Sequence, residues 1–257
     1  MLQKDLILPP LWQRLSPADE KMPLYPKVTS SFFCPTQTLT KELKMKELKK
    51  WNAMENVFKM SLFMPPISPI KDKTTGRTVK SATLTPLRTI NLEEIYKLIT
   101  SNEKLTALTL AVRNAALRGD ENTSRLLKQQ TLPYVTPCGV FTRRRSDCLE
   151  EPSGLVVVDI DHLESTEEAE ILRQELFDDP YLCPALAFIS PSGLGVKAFI
   201  PHTSGQNATD GIRWAMNYVH CMYDSNHRQP GKGVDTSGKD LVRSCFLCHD
   251  EGALLRI

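Results

Sequence analysis

The chain has 257 residues, 41% of them hydrophobic and 24% charged, which is enough apolar material for the core of one large or two small domains. A net charge of +2 permits a nucleic-acid partner without requiring one. No run approaches the ~20 apolar residues of a membrane span, and the N-terminal stretch has an acid and two prolines where a signal peptide needs an apolar core. With seven irregularly spaced cysteines, typical of free thiols, these features predict a cytoplasmic protein with no membrane partner.

The first part of the chain is predicted to contain two regions. Residues 1–56 form an N-terminal extension, which prolines break at its start and which ends in one basic helix that contacts DNA or docks by an apolar stripe. Residues 57–150 predict a small α/β module with two strands, three helices and a further extended stretch. Asn91 is expected to cap the first of these helices. The arginine cluster 143–145 is expected to contact phosphate or to lie in a solvated loop.

Residues 151–257 show the clearer pattern, a β-α-β-β-α-β order from SGLVVVDID to LVRSCFLCH. This order predicts a ferredoxin-like or RRM-like module, and it predicts an α+β fold in which the module packs with the smaller N-terminal one. The last predicted strand contains Cys245, Cys248 and His249, which match the haem-attachment string C-x-x-C-H. Because a second pair of metal ligands is missing, thiols on a half-buried strand are expected in preference to a haem or zinc site.

The predicted topology brings three points of the chain to one edge of the sheet. Right-handed crossovers place the first and third strands side by side at the centre. The end of the first strand, the turn between the second and third strands and the start of the fourth strand therefore share a rim. These points carry Asp159 with Asp161, the turn 190–195, and Asp235.

The acids at this rim predict a metal site. Asp159 and Asp161 are two residues apart on a strand, so their carboxylates leave the same face and repel each other. Mg²⁺ and Mn²⁺ prefer oxygen ligands and bind through one or two carboxylates plus substrate phosphates. Asp159, Asp161 and Asp235 are therefore the predicted metal ligands and catalytic residues. A pair of such ions is the arrangement for in-line phosphoryl transfer.

The residues around the acids predict a phosphate site. Two glycines in the turn let backbone N–H groups approach an anion, and two serines add hydroxyl donors. A lysine early in the next strand is a point charge suited to a triphosphate, and an arginine on the last strand is a second cation. The candidate nucleotide-binding residues are therefore Ser190, Ser192, Gly193, Gly195, Lys197 and Arg243.

These motifs resemble those of the archaeo-eukaryotic primase superfamily, the primase-polymerases, and most of all the VirE N-terminal-type domain of mobile-element primase-helicases. The first motif is the acid-x-acid pair after a hydrophobic strand. The second is the turn SPSGLGVKAF, with Lys197 where the superfamily usually has histidine, and the third is Val234–Asp235. The resemblance covers roughly residues 57–257. The branch's upstream and closing patterns are matched by Lys128, Leu132, Pro133, Thr136, Gly139, Phe141, Arg243 and Phe246.

The resemblance implies a DNA primase or primase-polymerase. Such a protein performs metal-dependent nucleotidyl transfer from NTPs or dNTPs on a single-stranded DNA template, here in replication of a mobile element or a related replicon. It implies Mg²⁺ or Mn²⁺, with two ions, as the cofactor. It also implies a replicative helicase as a partner, in trans or in a longer polypeptide.

Other functions stay open at this point. The same fold could bind nucleic acid without turnover and work with a helicase. A haloacid-dehalogenase-like phosphatase also runs from a hydrophobic strand into D-x-D and on to a serine and a lysine. That family, however, needs a doubly wound sheet and a Thr or Val where this chain has Leu163. A D-x-D glycosyltransferase would need a long preceding nucleotide-binding half, which the sequence pattern does not show.

Overall fold

The computed structural model describes residues 58–202, 208–223, 233–235 and 240–256. All of them belong to one compact unit, Trp51–Ile257. The predicted basic helix of the N-terminal extension lies outside the described residues. Within the described part of the chain, no helix combines the length and the apolar character that a bilayer span requires.

The first half of the described chain alternates short strands with three helices. Its elements are β1 (Met60–Phe63), β2 (Ile70–Lys71), β3 (Thr78–Lys80), β4 (Arg88–Ile90), α1 (Leu92–Ser101), α2 (Glu103–Leu117), α3 (Glu121–Thr131), β5 (Tyr134–Thr136), β6 (Gly139–Phe141), a 3-10 turn (Ser146–Cys148) and β7 (Leu149–Pro152). Asn91 caps α1 as predicted: its side chain accepts from Glu94 N–H at 2.9 Å, and the Glu94 carboxylate accepts from Asn91 N–H at 3.1 Å.

The second half contains longer strands and two helices. Its elements are β8 (Leu155–Asp161), α4 (Thr166–Asp178), β9 (Leu186–Ile189), β10 (Gly195–Pro201), α5 (Ala208–Tyr223), β11 (Gly233–Val234), β12 (Cys245–Phe246) and β13 (Leu254–Leu255). The side chain of Ser165 caps α4 by accepting from Glu168 N–H at 3.1 Å. In a capping box the carboxylate would accept from the N–H of the capping residue itself. Here the Glu168 carboxylate accepts from the N–H of Glu164, one residue before the cap, at 2.7 Å.

The strands form two larger sheets and two ribbons, and every described pairing is antiparallel. The first sheet has the order β12-β5-β1-β4, and the second has the order β11-β8-β10-β9-β13. The ribbons are β2-β3 and β6-β7. Helices and antiparallel sheets in one unit confirm the predicted α+β class. The finer RRM-like description stays a prediction.

The second sheet confirms part of the predicted strand arrangement and corrects the rest. The first and third predicted strands, β8 and β10, pair along their full length at the centre of the sheet. The predicted fourth strand, LVRSCFLCH, is wrong: only Cys245 and Phe246 are paired, and they pair with β5 of the first sheet. Cys245, Leu247 and Cys248 are buried in the core between the two sheets, and this burial holds the segment away from β8. The short strand β11 takes the edge beside β8 instead.

The second sheet is covered on both faces, which explains its unbroken run of valines. Val156, Val158 and Ile160 contribute to the core under α4 and α5. Leu155 and Val157 face the other way, into the core shared with the first sheet and α1. Since side chains alternate along a strand, Asp159 and Asp161 leave the sheet on the side of the first sheet.

The arginine cluster is largely engaged within the protein. Arg144 lies over the Tyr134 ring, 5.5 Å from its centroid, and donates to the carbonyl of Ile67 at 2.7 Å. Arg145 pairs with Asp147 at 2.5 Å. Two of the three side chains therefore already have partners other than phosphate.

The cysteines of the C-x-x-C-H string are buried free thiols, as expected. Burial raises the pKa of both Cys245 and Cys248 to about 12, so the thiolate that a metal needs is disfavoured at each. Among the described residues, the only grouping with metal-ligand spacing consists of aspartates.

Candidate metal and nucleotide site

Three aspartates converge at one end of the second sheet. Asp159 and Asp161 lie on β8, and Asp235 directly follows β11. The backbone N–H of Asp235 donates to the carbonyl of Asp159 at 2.9 Å, which continues the β11-β8 pairing by one residue. One carboxylate oxygen from each aspartate lies within 4.8 Å of the other two. The structure thus brings together the three acids that the topology predicts.

Glycines flank Asp161 on both sides. In the strand register Asp161 lies opposite Gly195 on β10 and opposite Gly233 on β11. A Cβ at Gly195 would lie 2.4 Å from the carbonyl oxygen of Ile160 and 3.0 Å from Asp161 Oδ1. Gly195 is therefore required by close packing beside the acid, because any side chain would push the strands apart.

The turn after β9 is closed by a hydrogen bond within its own backbone. Gly193 has φ +84°, a left-handed conformation that favours glycine. Its N–H donates to the carbonyl of Ser190 at 3.0 Å, within the turn itself. The hydroxyls of Ser190 and Ser192 lie 3.0 Å apart and form part of the cavity wall beside the acids, whereas neither turn glycine does.

Two cations neutralise the acids. Lys197 lies directly across the strand pair from Asp159 and forms an ion pair with it. Arg243 forms an ion pair with Asp235, and its Nη2 also lies 3.9 Å from Asp159 Oδ2. Both predicted cations are therefore positioned at the acids.

The burial of this cluster shifts its pKa values. Desolvation and the neighbouring Asp159 charge raise the pKa of the Asp161 carboxyl. Burial alone would lower the pKa of the Lys197 ammonium, but the carboxylates of Asp159 and Asp161 raise it above its ordinary value. Asp159 Oδ1 is buried and accepts no hydrogen bond from the residues that the structure describes. A buried acceptor without a donor, in a cluster of three carboxylates, suits a hard divalent cation.

A cavity of about 340 Å³ opens over the cluster. Its wall includes the three aspartates, both serines of the turn, Lys197 and Arg243. It also includes Lys128 from α3 and Phe246 from β12, so the cavity is enclosed by elements of both sheets. Volumes of this order are typical of small-molecule sites.

Lys128 and Phe246 are residues that sequence reasoning did not place in the site. Both fit family sequence patterns, but nothing in their local spacing connects them with the aspartates. Phe246 reaches the cavity because β12 joins the first sheet, which the predicted strand order did not allow. The signal that could have identified Lys128 is its position just before β5, the strand with which β12 pairs.

The fold and the site define a class: an α+β protein whose antiparallel sheet carries a candidate divalent-metal site of three carboxylates. Residues 127–254, just under half of the chain, match the family model described as BT4734-like, N-terminal domain. The match spans the three aspartates, the turn and all the cations of the cavity. Comparison with curated proteins and with solved structures returns no match.

Proposed function

We propose that this chain is a primase-polymerase-like nucleotidyltransferase that joins nucleotides on single-stranded DNA. One observation carries the proposal: three carboxylates whose oxygens lie within 4.8 Å of one another share a cavity with three cationic side chains and the hydroxyls of Ser190 and Ser192. That combination supplies ligands for a divalent ion and donors for a triphosphate in one place. The VirE-type resemblance of the same residues supports the proposal.

Asp159, Asp161 and Asp235 would hold Mg²⁺ or Mn²⁺. The donor set is all oxygen, and the buried Asp159 Oδ1 has no hydrogen-bond donor, so the residues present fit such an ion. When bound, the ion supplies activation of the attacking hydroxyl and neutralisation of charge on the leaving pyrophosphate.

The cations and the turn would bind the phosphates of an NTP or dNTP. Lys197 and Arg243 form ion pairs with carboxylate oxygens of Asp159 and Asp235. Phosphate oxygens are also anionic acceptors, so they can take the place of these carboxylates. Because the pKa of Lys197 is raised, its ammonium acts as a fixed charge. The hydroxyls of Ser190 and Ser192 can each donate to a phosphate oxygen from the cavity wall.

A template-copying assay tests the proposal. The protein is incubated with Mn²⁺, labelled NTPs or dNTPs and a single-stranded template, and labelled products are resolved by length. We expect oligomers from the wild type and none from Asp159→Ala/Asp161→Ala. Asp147→Ala is the control, since Asp147 is an exposed acid paired with Arg145 and is not part of the cavity wall.

A second candidate function is a nucleic-acid-binding replication module without turnover that works with a helicase. The observation that favours it is the pairing of Lys197 with Asp159 and of Arg243 with Asp235, which neutralises two of the three acids by side chains alone. Template binding without product, at every metal and nucleotide concentration, would select this function. The phosphatase alternative is not proposed, because the acid-bearing sheet is antiparallel throughout its described pairings and not a doubly wound parallel sheet.

A further inference from the structure

Phe246 is the end of an aromatic row that crosses three strands of the first sheet. It lies opposite Tyr134, which in turn lies opposite Phe63. The rings of Phe63 and Tyr134 stack at 5.1 Å, and Phe246 meets Tyr134 edge-on at 5.9 Å. Tyr134 is itself fixed, because its hydroxyl donates to the carbonyl of Thr83 at 2.9 Å. The Phe246 ring is therefore held in place at the cavity wall by packing behind it.

Lys128 is the cavity cation that is not engaged by an acid. Its Nζ lies 5.9 Å from the centroid of the Phe246 ring, and in the described part of the chain no carboxylate lies within ion-pair distance of it. Lys197 and Arg243, by contrast, both pair with aspartates. Lys128 is half-buried and lines the cavity, where its charge acts on Asp161 only at longer range than an ion pair.

This pair of residues has the chemistry of a nucleotide subsite. The half-buried ring of Phe246 lies in a wall otherwise made mainly of acids, hydroxyls and cations. Covering its apolar face with a ligand would remove apolar surface from water, which is favourable. Beside it is an ammonium on a flexible stem. A cation–π contact at this distance is weak, so the ammonium can leave the ring for a phosphate oxygen when a planar group takes its place.

We propose that Phe246 stacks on the base of the bound nucleotide and that Lys128 binds its phosphate. The inference rests on the proposed function, because it assigns the substrate contacts of the same cavity. A ring face and a point charge read no base edge, so the chain alone binds all four bases with similar affinity. Choice of base is then left to pairing with a template strand.

The test measures calorimetric binding to the full chain in Mn²⁺ and without template. The ligands are ATP, CTP, GTP and UTP, and inorganic tripolyphosphate serves as a ligand without a base. Phe246→Leu is expected to weaken all four nucleotides about 5- to 150-fold, the range that loss of base stacking gives, and to leave tripolyphosphate unchanged. Phe246→Tyr, which keeps a ring, should retain nucleotide affinity. Lys128→Met should weaken nucleotides and tripolyphosphate alike.

Several outcomes would overturn the inference and are distinct from failure of the proposed function. Unchanged nucleotide affinity in Phe246→Leu, with wild-type circular dichroism, removes the stacking role. An equal loss of tripolyphosphate binding in that variant shows that the ring only supports the fold. A wild-type preference above tenfold for one base contradicts the absence of base reading. If the wild type binds no nucleotide at all, the proposed function fails together with the inference.

Discussion

Lys197 is a permanent charge in a position where the resembling superfamily usually has a histidine. Burial opposes its ionisation, but the carboxylates of Asp159 and Asp161 outweigh burial and raise its pKa. The ammonium therefore stays protonated across the neutral range, whereas a histidine would titrate there. In the proposed site Lys197 would therefore hold a phosphate by charge at any physiological pH and would not act as a proton donor or acceptor.

Replacing Lys197 by histidine should make nucleotide binding depend on pH. An imidazole has an ordinary pKa of about 6.5, which the neighbouring carboxylates raise. It is charged below its pKa and neutral above it, so nucleotide affinity in Lys197→His should fall as pH rises through the neutral range. Wild type and Lys197→Arg should keep nearly constant affinity from pH 6 to 9. A flat profile for the histidine variant would show that the charge at this position does not contact the ligand.

The ionised form of Asp161, unlike that of Lys197, is disfavoured by the folded protein. Its pKa is raised in the folded protein, so the ionised carboxylate destabilises the fold once pH exceeds its unfolded value of about 3.9. The stability that it lends is fully present below that pH and is lost as pH rises through the folded pKa. The proposed metal site would thus require a charge that the fold alone does not favour.

Neutralising this acid should therefore stabilise the protein while weakening metal binding. In metal-free protein, Asp161→Asn should raise the thermal midpoint at pH 7, by about 2–4 °C for each kcal/mol of unfavourable charge removed. The gain should shrink as pH falls towards 4, because the wild-type carboxyl takes up its proton at a higher pH than an ordinary aspartate does. Asp147→Asn is the control: its pKa is lowered, first through its hydrogen bond with Arg145, so its neutralisation should give no gain.

At the scale of elements, a buried ion pair fixes the segment after β12. Arg173 on α4 contacts both carboxylate oxygens of Asp250 at 2.9 Å. The same carboxylate accepts from the N–H of Ile189 at 2.7 Å and from that of Gly252 at 3.1 Å. Both side chains are shielded, with relative exposures of 13% for Arg173 and 7% for Asp250. One carboxylate thus joins α4, β9 and the C-terminal segment.

Removing this carboxylate should destabilise the protein strongly. Asp250→Ala leaves a buried guanidinium and a buried N–H without their acceptor, and loss of one partner of such a pair costs about 3–5 kcal/mol. Urea unfolding measures the change in free energy. Lys97→Ala is the control, because its pair with Glu93 is exposed and should contribute little. A change in Asp250→Ala no larger than in the control would show that the pair does not hold these elements together.

The elements also show how far the sequence alone could be interpreted. The pairing of β8 with β10 and the meeting of the three aspartates follow from periodicity and crossover rules, and the structure bears them out. The sheet that LVRSCFLCH joins cannot be predicted from these rules, because its residue pattern suits a strand of either sheet. Burial of Cys245 and Leu247 against the first sheet decides it, and this is a long-range packing effect. Phe246 was missed as a site residue for the same reason.

At the scale of the whole molecule, the cavity depends on both sheets. The aspartates, the turn and Lys197 come from the second sheet and its edge, while Lys128 and Phe246 come from α3 and the first sheet. One core, containing Leu62 and Val135 together with Phe188 and Phe199, joins the two sheets. Half of the molecule therefore supplies only part of the site and leaves an apolar sheet face uncovered.

Dissection of the chain tests this dependence. A fragment of residues 51–257 should fold and bind nucleotide as the full chain does, since it contains the compact unit. A fragment of residues 151–257 lacks the strand that pairs with β12 and exposes the core face of β8, so it should aggregate or show no cooperative unfolding. Thermal unfolding and nucleotide titration measure both properties. Folding and full nucleotide affinity of the shorter fragment would contradict a site shared between the sheets.

The most direct test of the central claim is a crystal structure with Mn²⁺ and a non-hydrolysable nucleoside triphosphate. Anomalous scattering locates the manganese independently of the refined coordinates. We expect an anomalous peak coordinated by Asp159, Asp161 and Asp235, with Lys197 and Arg243 turned to phosphate oxygens. A bound nucleotide with no manganese at these aspartates, and with the Lys197–Asp159 and Arg243–Asp235 pairs intact, would contradict it.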